Sequence, residues 1–298
     1  MMTHAQSNPS VSGQAAVERM TERLKRDGYI VIPRAIDPDL IEMLNEQTSA
    51  RFERTPFSQG KFYGERTKRF GQLLSRAPIS SRLVQHEQIL AIVKRLLTPE
   101  QGQIQLNLTQ ALEMHPGSPS QVPHRDDSIW DCPKIVEFSV NVMWPFTRYT
   151  RENGATNLWP GSNHHQEVLL PEENSLDIEM NPGDALLYVG SILHRGGHNS
   201  SNMIRRGMIV GYCLGWLKPY ENQWLAYPPR IARNFSAELA ALIGYRQDQP
   251  NLGNYDGQCP SILLRDNVPE FLGAIDELRP DQVTMIEDYR AGRLSLAA

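Results

Sequence analysis

The chain has 298 residues, 40% hydrophobic and 21% charged, an ordinary globular balance that excludes disorder over its whole length. Thirty basic against 34 acidic residues leave a net charge of −4, which excludes the electrostatic footprint of non-specific nucleic-acid binding. No apolar run approaches the roughly 20 residues of a membrane-spanning helix, so no membrane span is expected. The opening MMTHAQSNPSVSGQ lacks the apolar core of a secretory signal, and Leu296-Ala297-Ala298 is not a peroxisomal tripeptide. Cys132, Cys213 and Cys259 are widely spaced with no CxxC pair, against a disulfide framework or a thiolate zinc site. A soluble, cytoplasmic protein with a small-molecule substrate is predicted.

Residues 1–13 show no periodicity and are predicted to be a disordered tail. Ala16, Met20 and Leu24 recur at four-residue spacing, which predicts a helix over 15–25, ended by Asp27-Gly28. Tyr29–Ile32 reads as a short strand, and Asp37-Pro38 as the capped start of a helix running to about Phe52. Residues 53–80 are mixed, with a basic cluster of Lys61, Arg66, Lys68 and Arg69. Period-2 alternation then marks strands through Ile104, Leu106, Leu108, Leu112 and Met114, through Val136 to Trp144, and through Met208 to Trp216. Ala185–Val189 is a further strand behind the turn Asn181-Pro182-Gly183-Asp184. Strands separated by Gly/Pro turns, with helices only at the ends, predict a mainly β fold, a jelly roll with flanking helices. After Pro219 come a short helix near 236–243, a polar loop, and a terminal helix from about Pro269. A single domain is expected over 14–298, with a helical buttress at 14–99, a core at about 100–217 and a C-terminal arm at 218–298.

The chemistry concentrates in Pro123-His124-Arg125-Asp126. A histidine and a carboxylate two apart on extended chain point to one side and can share a metal. Leu193-His194-Arg195 supplies a third ligand beyond the 185–189 strand. Two histidines and one carboxylate leave open positions on an octahedral ion, the facial triad of non-haem Fe(II) oxygenases. Arg205 lies eleven residues past His194, at the start of the next strand. Its planar fork suits a carboxylate, whereas Arg206 beside it should face solvent.

Several segments together resemble the phytanoyl-CoA dioxygenase family. They are Gln121–Asp127, Glu152–Thr156 running into Trp159–Ser162, Pro182-Gly183-Asp184, and His194 through Arg205, with Asp27–Pro33 and Ile36–Pro38 upstream. The resemblance covers roughly 17–230, and His-Arg-Asp-Asp with Gly215-Trp216-Leu217 looks most like its natural-product branch. It implies a double-stranded β-helix core and the use of Fe(II), 2-oxoglutarate and O2 to oxidise unactivated C–H bonds of a mostly apolar small molecule, such as a terpenoid. Hydroxylation, desaturation and rearrangement all stay open. By the same resemblance, His124, Asp126 and His194 are the iron ligands and Arg205 holds the distal carboxylate of 2-oxoglutarate. Gln121, Thr156 and Asn107 are expected to bind the cosubstrate. Cys213 stands where some relatives place a redox-active tyrosine, and with Gln72 it is expected to meet the substrate. The carboxylate at Asp126 argues against halogenation, because halogenating relatives lack it. The resemblance also implies a homodimer in which the C-terminal arm forms a lid and an interface.

Other residues have plainer readings. Asp127 should turn away from Asp126, and His164, His165, His198 and His115 should be surface or loop residues. Tyr212 and Trp216 should be core. Three rivals remain open from the sequence, one of them a lectin-like binding module that would need no metal triad. An acyl-CoA hydroxylase would use the basic cluster for phosphates, and a non-redox cupin-like metal protein would not need Arg205.

Overall fold

The computed structural model describes residues 9–98, 102–165 and 170–294. Among the described residues, nine strands form two antiparallel sheets: β1 Tyr29–Ile32, β2 Thr67–Phe70, β3 Ile104–Met114, β4 Ser139–Pro145, β5 Thr156–Leu158, β6 Leu176–Ile178, β7 Ala185–Val189, β8 His194–Gly196 and β9 Arg205–Leu214. The major sheet runs β1-β7-β4-β9-β3-β2 and the minor sheet β6-β5-β8. This is the jelly-roll core that the strand pattern predicts, with helices before and after it.

The two faces of the major sheet are chemically different, as strand alternation requires. Val140, Val142, Val210 and Tyr212 are sealed in the apolar core, and the Tyr212 hydroxyl donates to the carbonyl of Val84 in the helical layer. The helix Glu87–Leu97 presents Ile89, Ile92, Val93, Leu96 and Leu97, spaced i, i+3, i+4, i+7, i+8 along one stripe, and all are buried. Each contributes about 1.5–3 kcal/mol by leaving water. That stripe packs on β3 and β9 and on the first helix. The other face of the sheet carries Asn141, Met143, Ile209 and Arg205, and it lines a cavity closed by the minor sheet.

Some boundaries differ from those read in the sequence. The first helix begins at Pro9 rather than near Ala15, so residues 9–13 are helical and 1–8 lie outside the described residues. Asp37 caps the helix Pro38–Arg54 by position only, without a side-chain hydrogen bond. The strand expected from Val136 starts at Ser139, with Val136 exposed. Trp216 is likewise exposed, past the end of β9, while Tyr212 is core as expected. The terminal helix starts at Pro280, not Pro269, and buries none of its residues.

The largest correction lies in β3. Its register against β9 slips between Leu106 and Leu108, so Asn107 is an extra residue in the strand. Such a bulge shifts the alternation. Leu108, Gln110 and Leu112 therefore face the cavity and Leu106 does not, although the sequence places all the leucines on one face.

Candidate active site

The pairing of two short extended segments sets the centre of the site. His124 and His194 exchange both backbone hydrogen bonds, N to O at 2.9 and 3.0 Å, so they are directly opposed across an antiparallel bridge. Their rings meet with centroids 4.4 Å apart. The Nδ1 of His124 donates to the Val122 carbonyl at 2.9 Å, and that of His194 to the Ile192 carbonyl at 3.1 Å. Both Nε2 atoms are thereby left as lone-pair donors. Asp126 follows two residues after His124, at the start of a short 3-10 turn over Asp126–Ile129. Its oxygens lie 3.6 Å from His124 Nε2 and 3.4 Å from His194 Nε2. One donor atom from each of the three lies within 4.8 Å of the others.

Electrostatics suit this set to a cation. Burial pushes the His124 imidazole down to about 4, with the neighbouring His194 adding to the effect, so it is neutral at neutral pH. Burial alone would raise Asp126, but contact with His194 overcomes it and holds the carboxyl below its ordinary range. His194 is raised in turn, because the Asp126 carboxylate outweighs its burial. The donors are two neutral-capable imidazoles and a carboxylate, the chemistry of a non-haem iron site.

The cavity around them is about 300 Å³. Arg205 enters it from the first residue of β9, fully buried, with its guanidinium 4.5 Å from the Tyr149 ring centroid and one NH group donating to the Gly154 carbonyl. Thr156 on β5 and Asn107 at the β3 bulge also line it. Asn107 Oδ1 already accepts from the Tyr220 N–H at 2.7 Å, so this side chain anchors the chain that follows β9. Gln121 lines the cavity with its Oε1 engaged by the Gly196 N–H at 2.9 Å.

Two expected contacts fall elsewhere. Cys213 is fully buried and pairs in register with Ser139 and Gln105, outside the residues that line the cavity. Burial pushes its thiol up to about 12, so it is an inert part of the interior. Gln72 stands in left-handed conformation ahead of the turn Leu73–Arg76 and is likewise outside the lining. Its N–H donates to Glu221 Oε1 at 2.8 Å, a rivet between the N-terminal segment and the arm. Arg206 is not solvated either. It pairs with buried Glu113 through Nε at 2.8 Å and lies over the Phe52 ring. Asp127 does turn away from Asp126. It accepts from Ser139 Oγ at 2.5 Å, and burial raises its carboxyl to about 7.

Arg69 is the functional candidate that sequence reasoning missed. It leaves the basic cluster to enter the cavity from β2, donates to Gln110 Oε1 at 2.9 Å and lies 5.0 Å from the Tyr63 ring centroid. Burial and the charge of Arg205 press its pKa down. The Nε atoms of Arg69 and Arg205 are both sealed from solvent without a hydrogen-bond partner. Two such guanidiniums fit a small dianion better than either fits an empty interior. Tyr188, whose ring centroid is 4.7 Å from that of His194, and Tyr63 and Tyr220, joined through their hydroxyls, complete the polar wall. Thr67-Lys68-Arg69-Phe70 is too short and too charged to show an alternation.

A jelly roll holding two histidines and an aspartate, with buried Arg205 and half-buried Arg69 beside them, defines an oxygenase-type metal enzyme. Residues 24–207 match the family model described as phytanoyl-CoA dioxygenase (PhyH). The chain is 28% identical over 252 residues to dioxygenase trt7 of Aspergillus terreus, covering 80% of this chain and 86% of that protein. It is 28% identical over 242 residues to the multifunctional dioxygenase ausE of Aspergillus calidoustus, covering 74% and 81%. Among solved structures it is similar to SnoN, a non-heme alpha ketoglutarate dependent epimerase from nogalamycin biosynthesis. That likeness has a TM-score of 0.58 at 20% identity, over 69% of this chain and 86% of SnoN. The chain belongs to the phytanoyl-CoA dioxygenase family. It is an enzyme of that class, a non-haem iron, 2-oxoglutarate-dependent dioxygenase.

Proposed function

We propose that the chain oxidises unactivated C–H bonds of a mostly apolar small molecule in specialised-metabolite biosynthesis, in the manner its fungal relatives' names suggest. The observation that carries this is the joint presence, in one cavity, of the His124–Asp126–His194 set and of two arginines whose Nε atoms are buried without a partner. His124, Asp126 and His194 hold Fe(II). Arg205, with Arg69, Thr156 and Gln121, holds 2-oxoglutarate. Bound there, iron with 2-oxoglutarate and O2 supplies the oxidising power, the cosubstrate leaving as succinate and CO2. The chain's part is placement and exclusion of water. Phe62 packs edge-on against His124 with centroids 4.8 Å apart, and Ile129, Leu108, Met143 and Ile209 give the cavity its apolar wall. Asn107 ties the segment after β9 to the sheet, so that Tyr220 meets Tyr63 across the cavity.

The acyl-CoA rival loses its main support. Lys68 donates to the Phe52 carbonyl, Arg66 to that of Pro116, and Arg69 is in the cavity, so most of the basic cluster is engaged within the fold. Anaerobic loading with Fe(II) and 2-oxoglutarate, then exposure to O2 with a panel of polycyclic terpenoids, tests the reading. Succinate should form together with an oxidised product. Succinate no higher than in His124→Ala would refute it.

The chain is a single unit whose first helix begins at Pro9, with the arm after Leu217 acting as lid and as the interface of a homodimer. Leu225 and Phe271 are 80% and 86% exposed, and the helix Pro280–Arg290 has no buried residue, as expected of surfaces awaiting a partner. No helix among the described residues is long and apolar enough to cross a membrane. Three unpaired cysteines suit the reducing cytoplasm.

A further inference from the structure

The consecutive carboxylates Asp126 and Asp127 are each met by a residue of β4, two positions apart and so on one face. Ser139 Oγ donates to Asp127 Oδ1 at 2.5 Å, and Asn141 Nδ2 donates to Asp126 Oδ2 at 2.7 Å. A carboxylate only accepts, which settles the amide's orientation: Nδ2 faces Asp126 and Oδ1 points away. That Oδ1 is buried and has no hydrogen-bond partner. An apolar side chain of the same size would avoid this cost to folding, so stability does not account for an asparagine here. The surroundings are also shaped for it. Gly211 stands opposite Asn141 in the register, and a Cβ on Gly211 would lie 2.6 Å from Asn141 Oδ1 and 2.6 Å from Leu108 Cδ2. Gly190 makes the matching room for Asp127, where a Cβ would lie 1.9 Å from Oδ1. The two glycines are bare where Asp127 and the Asn141 amide need space.

We propose that Asn141 is a positioning residue for the metal. It holds Oδ2, which also lies 3.4 Å from His194 Nε2, and so fixes the rotation of the Asp126 carboxylate, with Oδ1 3.6 Å from His124 Nε2. A carboxylate held by one oxygen takes one coordination position instead of two, and the places needed by cosubstrate and O2 stay free. Ser139 and Asp127 serve the same end by pinning the turn that carries Asp126 to β4. This inference rests on the iron reading of the site.

The test uses Mn(II), a redox-stable probe ion, titrated into the full chain and followed by the electron paramagnetic resonance of free Mn(II). Asn141→Ala should bind Mn(II) about 10–100-fold more weakly than the native chain. Gly211→Ala should shift the affinity in the same direction, because its methyl displaces the amide without removing it. Far-UV circular dichroism should stay near native in both, and the metal-free melting midpoint near native in Asn141→Ala, whereas in Gly211→Ala the methyl also presses on Leu108 and lowers it. Native-like Mn(II) affinity, within about twofold, in Asn141→Ala overturns the proposal. So does a loss of affinity found only together with loss of the folded spectrum in both variants. A native chain that fails to bind Mn(II) overturns the metal reading itself, whereas native binding retained by Asn141→Ala and lost in Asp126→Ala sinks only the role of Asn141.

Discussion

Replacing Arg205 and Arg206 separately by alanine tests the register at the start of β9, because the two neighbours face different worlds. Arg206 pairs with Glu113, whose side chain is only 4% exposed, and also donates to Asn45 Oδ1 and Ser49 Oγ at 3.2 and 3.0 Å. Removing it leaves a buried carboxylate with only His115, at 3.1 Å, to answer it. Breaking a buried pair from one side costs about 3–5 kcal/mol. Spread over the unfolding entropy of a chain this long, that is a fall in melting midpoint of roughly 5–8 °C. Its guanidinium does not line the cavity, so the requirement for 2-oxoglutarate should stay unchanged. Arg205→Ala should do the reverse. It removes a cation that Arg69 repels, so the midpoint should move little, while loss of a buried charge-assisted contact of about 2–5 kcal/mol weakens 2-oxoglutarate by roughly 30-fold to a few thousand-fold. Thermal melts and isothermal titration with 2-oxoglutarate on the Mn(II)-loaded chain separate the two. Similar effects at both positions, or a cosubstrate defect in Arg206→Ala with a native midpoint, would refute the reasoning.

Single alanines at His124, Asp126 and His194 should each abolish succinate formation with the circular dichroism unchanged, and any one that retains activity is not a ligand. Arg69→Met should weaken 2-oxoglutarate yet raise the melting midpoint of the ligand-free chain, since it removes both an unpartnered Nε and the repulsion from Arg205; a lower midpoint with normal cosubstrate binding would contradict this. Phe271→Glu should convert the dimer to a monomer in sedimentation at micromolar concentration, and a native chain that is already monomeric defeats that proposal. Asp127→Asn tests a buried carboxyl raised to about 7. A raised carboxyl stabilises fully below its unfolded value near 3.8 and loses that contribution as pH rises through 7, about 1.4 kcal/mol per pH unit between. In urea unfolding of the metal-free chain, the asparagine variant should therefore gain on the native protein from pH 5 to pH 8, and a constant difference would contradict the burial argument.

What could be seen in the sequence depended on how regular the local backbone is. The strands β4 and β9 were found by their alternation, although β4 buries all seven of its residues, β9 buries residues of both parities, and the ends of the pattern, Val136 and Trp216, are exposed. The metal set was visible for a different reason. His124 and Asp126 are two apart on extended chain, so spacing carried that pair, whereas His194, at the first residue of β8, meets them only through its bridge with His124. Alternation failed for Arg206, because being turned away from the cavity on a sheet with two covered faces means facing a helix rather than water. There Glu113, Asn45 and Ser49 receive it.

The remaining misses share a cause. At Asn107 the strand has one residue too many, which turns Leu108 and Leu112 into the cavity and frees a backbone carbonyl for the Glu221 N–H. Arg69 sits on a four-residue strand whose only buried side chains are Thr67 and Phe70, so nothing in its neighbours reveals that it points inward. Glu221, whose oxygens accept from the N–H groups of Gln72 and Thr109, becomes meaningful only once two segments about 150 residues apart are side by side. These are places where the chain departs from the local rule that would have been cheapest to obey: a regular strand, a solvated arginine, an amide with both ends paired. Such departures survive where something outside the local rule requires them. Here Asn107, Arg69 and Asn141 all border the same 300 Å³ cavity, while the regular positions fill the core behind it. The exceptions to the sequence pattern therefore mark the active site almost as well as its ligands do.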